Sequence, residues 1–168
     1  MNVESIMTRN PKTCTAGDRL ADATRLMWEN DCGAIPVTEA DGSGGLVGML
    51  TDRDTCMSAF FKAAPLHQLT VADAMSRSVM TCKPSDSLAH AAALLREARV
   101  RRLPVVDAQG SVVGLVALAD LARVAMTSEG KTELTLPIIA ETLAAISARP
   151  ASAKTVPEAK SPRALLPK

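Results

Sequence analysis

Apolar positions along this chain alternate between two spacings. Leu20, Ala23, Leu26 and Met27 recur every three or four residues, as do Leu88, Ala91, Leu94 and Leu95, which predicts two amphipathic helices. Asp18 and Asp86 stand just ahead of them. A carboxylate there can accept the free backbone N–H groups of a first turn, so both are expected as N-caps. Each helix is followed by a pair of short apolar runs, 35–38 with 46–50 and 103–106 with 112–116. Turn-forming residues join each pair, which is a hairpin pattern. Short extended pieces are expected before the helices, at 12–15 and 80–83, and further helices from Asp52 and from Leu118. The order β-α-β-β-α therefore occurs twice.

The repetition extends to residue identity. A shift of 68 superposes Val3, Met7, Arg9, Thr13 and Cys14 on Val71, Met75, Arg77, Thr81 and Cys82, and positions 3–37 give 13 identities. After the first hairpin turn the shift falls to 66, because Gly42-Ser43-Gly44-Gly45 is two residues longer than its counterpart. A copy of 55–60 residues is marginal by itself, so the two should share buried surface across a pseudo-twofold axis with clefts between them. The expected fold class is α/β (α+β). Repeats are expected over 1–60 and 71–127, with a linker at 61–70 that Phe60 and Phe61 help to pack down. An extension at 128–147 contains a short helix with Pro137 in its first turn. The stretch 148–168 has few large apolar residues and is expected to be disordered.

Composition removes several function classes. The net charge of +1 implies no broad attraction to nucleic acid or anionic lipid. Two Phe, one Trp and no Tyr leave few stacking platforms for single strands. No apolar run approaches the ~18 residues of a membrane span. The first ten residues lack the apolar core of a signal peptide, so a cytoplasmic protein is expected. Cys14, Cys32, Cys56 and Cys82 form no CxxC pair and are expected as buried small side chains, while His67 and His90 are isolated. No metal site is expected. No Ser-His-Asp or Cys-His set and no Walker loop is present, and Asp52 with Asp54 has no adjacent general base, so catalysis is not expected.

The chemistry that remains centres on Gly48-Met49-Leu50-Thr51-Asp52-Arg53-Asp54. Thr51 and Asp54 straddle a helix start. One reading is a capping box, although that motif prefers Glu or Gln at the second position. The other is a ligand site. A carboxylate suits the two hydroxyls of a ribose, and a helix N-terminus favours a phosphate.

The doubled motifs Ile6-Met7-Thr8 and Ala74-Met75-Ser76, Ala34-Ile35-Pro36-Val37 and Arg102-Leu103-Pro104-Val105, and the Gly48–Asp54 stretch resemble those of the cystathionine-β-synthase (CBS) domain, here as a tandem pair or Bateman module. The resemblance covers residues 3 to about 126. It implies a non-catalytic sensor that holds an adenosine-type ligand (AMP, ADP, ATP or S-adenosylmethionine) between the repeats, requires no cofactor, forms a homodimer and signals to a regulated partner. It also implies roles for particular residues: Thr51 toward phosphate, and Asp54 toward ribose. Asp120 takes the ribose role in the second copy, where Ala117 replaces the hydroxyl, and Arg101 with the adjacent Arg102 faces phosphate. Lys12 is the cation available to the first copy. Pro11, Ile35, Pro36, Met80, Leu103 and Pro104 fall at positions that surround the adenine. Two unlike clefts are then expected, with a polyphosphate near Arg101. The alternative is a dimerisation module with vestigial clefts that docks a partner.

Overall fold

The computed structural model describes residues 1–127 and 133–148. Its elements follow the expected order. Strand β1 (Thr8–Arg9) and strand β2 (Cys14–Thr15) precede helix α1 (Leu20–Glu29), hairpin β3 (Ala34–Thr38) and β4 (Leu46–Thr51), and helix α2 (Asp52–Lys62). The second copy contributes α3 (Leu88–Ala98), β5 (Arg102–Val106), β6 (Val112–Ala117) and α4 (Leu118–Thr127), and the chain continues into α5 (Leu136–Ser147). The expected extended piece at 80–83 is reduced to a single parallel bridge, Cys82 to Val105.

Two three-stranded sheets result, ordered β2-β3-β4 and β1-β6-β5. The second contains a crossing that the repeat pattern does not announce. β1 belongs to the first copy by sequence, yet it pairs antiparallel with β6 of the second, Thr8 opposite Leu115 and Arg9 opposite Gly114. The reverse exchange occurs at Ser76, whose backbone makes reciprocal 2.9 Å bonds with Met49 on β4. Val3 accordingly sits in the second core and Val71 in the first. The hairpin tips also meet, at a Gly45–Ser111 bridge with Ser111 Oγ donating to the Ser43 carbonyl at 2.8 Å. The two repeats, each with its own core, are thereby tied at both ends.

The exchange explains one glycine in each β4-type strand. A Cβ on Gly48 would lie 2.8 Å from the Ser76 carbonyl oxygen, a backbone atom that cannot move aside. A Cβ on Gly114 would meet the Met7 sulfur, the far part of a flexible side chain.

Three local expectations are corrected. Asp18 and Asp86 do not cap helices. Their carboxylates accept the backbone N–H of Thr15 (2.7 Å) and Lys83 (2.8 Å), three residues back, and so close the turn before each helix. The N-cap of α3 is Ser87, whose hydroxyl oxygen accepts from the His90 N–H at 3.1 Å, and α1 has no side-chain cap. Phe60 and Phe61 do not pack down: α2 runs through both to Lys62, and they stand 63% and 60% exposed with their rings edge to face. Of the cysteines only Cys14 and Cys82 are buried, and burial, followed by the nearby Asp18 or Asp86 charge, pushes each thiol up to about 12. The expected disorder of 148–168 falls, beyond Ala148, outside the described residues.

Candidate functional site

A cleft of about 490 Å³ opens between the repeats. One wall is the start of α2. Thr51 is its N-cap, in extended conformation, and forms a full capping box with Asp54. The Thr51 hydroxyl oxygen accepts from the Asp54 N–H at 3.1 Å and donates to Asp54 Oδ2 at 2.6 Å. Oδ2 also accepts the Thr51 N–H at 3.0 Å, so all the bonds to this carboxylate fall on one oxygen. The capping geometry is therefore present. It also pre-orients a hydroxyl, a carboxylate and the positive end of an 11-residue helix toward the same space.

The facing wall comes from the second repeat. Ser76, Ser78 and Met80 line it from the crossing segment, Arg99 and Arg101 from the turn between α3 and β5, and Arg102 from the first position of β5. Arg99 holds a left-handed conformation (φ 52°) and its N–H closes the end of α3. Among the described residues none of these three guanidinium groups is paired with a carboxylate.

The equivalent turn of the first repeat has no cation. Gly33 stands where Arg101 stands, and the Asp52 carboxylate occupies the space a side chain would need, 2.7 Å from an ideal Cβ. The backbone is nonetheless the same in both copies. The Asp52 N–H donates to the Gly33 carbonyl at 3.2 Å, and the Leu118 N–H to the Arg101 carbonyl at 3.0 Å.

Thr51, Asp54, Met80, Arg101 and Arg102 thus share one cleft. This differs from the expected partition, in which the arginines served the second copy's Asp120. Gly33 and Ala34 of the first repeat line the cleft as well, so both turns meet at the start of α2. Asp120 keeps half of the capping box: its Oδ2 accepts the Ala117 N–H at 2.8 Å, and its other oxygen is paired with Arg123. Pro11 is half-buried and Lys12 exposed, and neither lines the cleft that holds the arginines. Ile35 and Leu103 are 1% and 0% exposed in the two cores, so their side chains do not face it. Pro36 and Pro104 are buried within β3 and β5, and their carbonyl oxygens face Cys14 and Cys82. The sequence reading missed Ile146, which reaches the cleft from α5. Nothing local to residue 146 signals this, since it lies about 90 residues from Asp54.

The CBS-domain family model matches residues 3–56 and 71–127. The chain is 38% identical over 128 residues to the CBS domain-containing protein YhcV of Bacillus subtilis, covering 76% of this chain and 88% of that one. Among solved structures it is similar to CBSX2 of Arabidopsis thaliana in complex with AMP, at 30% identity and TM-score 0.65, over 76% of this chain and 98% of that one. The CBS domain pair of protein MJ0100, in complex with 5′-methylthioadenosine and S-adenosyl-L-methionine, shares the fold at 22% identity and TM-score 0.69, over 77% of this chain and 98% of that one.

Proposed function

The chain belongs to the CBS-domain family, as two repeats in one polypeptide, and from that premise we propose that it is a non-catalytic regulatory module whose working site is the cleft between Thr51–Asp54 and Arg101–Arg102, occupied by an adenosine-type ligand. The observation that carries this reading is the juxtaposition of a helix N-terminus bearing a hydroxyl and a carboxylate with guanidinium groups that have no carboxylate partner. Asp54 accepts the two ribose hydroxyls. The Thr51 hydroxyl turns from Asp54 to a phosphate oxygen while still accepting the Asp54 N–H. Arg101, with Arg102 beside it, grips the phosphate, which guanidinium groups can do through paired bonds. The complex of the similar CBSX2 with AMP supports the ligand class.

The second cleft suits the vestigial reading. Ala117 offers no hydroxyl and the Asp120 carboxylate is engaged by Arg123. One ligand per chain is the expected stoichiometry. The output is a change in the packing of the repeats, passed to a second copy in a homodimer or to a regulated partner. Such a change requires that the ligand prefer one arrangement energetically.

The test is thermal melting of wild type and Asp54→Ala with AMP, ADP, ATP, S-adenosylmethionine and GTP. A ligand at a hundredfold its Kd adds about 2.7 kcal/mol to the native state. For a chain of this size each kcal/mol moves Tm by roughly 2–4 °C. An adenosine ligand should raise Tm by several degrees, with the rise lost in Asp54→Ala. No rise with any of them supports the dimerisation-module alternative.

A further inference from the structure

The cleft has a third contributor, and it is not part of either repeat. Ile146, in the last turn of α5, lines the cleft beside Ala98 and Val100 and also packs against the core of the second repeat. The helix is anchored along its length. Leu134 just before it is 3% exposed, Thr142 is fully buried, and Glu141 pairs with Arg96 of α3 at 3.5 Å. Arg96 lies one turn before the corner that carries Arg99, Arg101 and Arg102, so α5 braces the same helix end that presents the cations.

The lining mixes two chemistries. Thr51, Asp54 and Arg101 are polar, and Met80, Val100 and Ile146 offer apolar surface. A ribose phosphate held by the first set leaves its base to the second. The pseudo-twofold supplies no equivalent of α5 to the other repeat, where α1 packs instead on the single-turn helix Leu66–Gln68. A helix outside the repeats therefore touches one cleft.

We propose that α5 is a wall of the ligand site, with Ile146 contacting the base, so that ligand binding and α5 docking strengthen each other. This rests on the adenosine reading above. Linkage requires the coupling to run both ways: what undocks α5 weakens the ligand, and the ligand protects α5.

The experiment is hydrogen exchange of the α5 amides in the full chain, with and without AMP, ATP or S-adenosylmethionine, combined with affinities for Ile146→Ala, Ile146→Trp and Leu143→Ala. Leu143 is 48% exposed on α5 and serves as the control. The expected result is slower α5 exchange on binding, together with about a tenfold weaker affinity in Ile146→Ala, from removal of apolar contact. Affinity should be unchanged in Leu143→Ala. Ile146→Trp should abolish binding while ligand-free α5 exchange stays as in wild type, which separates loss of the wall from loss of the helix. If wild type binds in an Asp54-dependent way but α5 exchange and both Ile146 variants are unmoved, α5 is only a brace. That outcome overturns this inference and leaves the site reading standing. If none of the three ligands binds wild type, both fall.

Discussion

The α3–β5 turn with its partner helix start and the β3-side turn with its own have the same backbone and opposite chemistry. Gly33 and Arg101 occupy equivalent positions, and each accepts the first N–H of the following helix through its carbonyl. Around Gly33 the Asp52 carboxylate fills the space, and no cation is present. Around Arg101 three guanidinium groups face the cleft, and the helix start that follows has Leu118 and no hydroxyl at Ala117. Gly33 and Arg101 line the same cleft, so its cations come from the second copy and its capping hydroxyl and carboxylate from the first.

Two substitutions test that comparison. Arg101→Gly, which copies the first turn into the second, should have the largest effect. Losing hydrogen bonds to a charged group costs about 1.5–3 kcal/mol, so the affinity for AMP should fall by about ten- to a hundredfold in calorimetric titration. Asp120→Ala should leave that affinity unchanged. Equal losses in the two variants would mean that both clefts bind.

Next is the pair of crossing points. Gly48→Ala pushes a Cβ against the Ser76 backbone oxygen, whereas Gly114→Ala meets only the Met7 side chain. Overpacking of this kind costs about 1–3 kcal/mol. Gly48→Ala should lie at the upper end of that range, and Gly114→Ala below 1 kcal/mol, a comparison that urea unfolding midpoints can make. The smallest effect is a gain. Ala117→Thr supplies the hydroxyl missing from the second capping box, where Asp120 already accepts the backbone N–H. Stability should rise by about 0.5–1 kcal/mol, read as an increase in Tm without ligand.

Much of this was legible in the sequence because the signals are local. Helical spacing placed α1 and α3, the hairpins stood out as paired apolar runs, and Thr51 with Asp54 marked the start of α2. Local signals were not always decisive. Asp18 and Asp86 have N–H groups within reach on both sides, and both close the turn behind them; Ser87 takes the cap of α3, while α1 has no side-chain cap. Phe60 and Phe61 were expected to pack because they are large and apolar, but they fall on the side of α2 that the core does not reach.

By itself the sequence determined that the chain is a duplicated unit of the order β-α-β-β-α, which stretches form its helices, and which residue types could hold a ribose and a phosphate. These follow from spacings of two to four residues and from identity at a shift of 68. Only the tertiary structure decided that Arg101 shares a cleft with Asp54, that the leading segments cross between sheets, and that Ile146 lines the cleft. Those contacts join residues tens of positions apart. No short-range spacing encodes them, because they depend on how the two repeats, each with its own core, pack and exchange their leading segments.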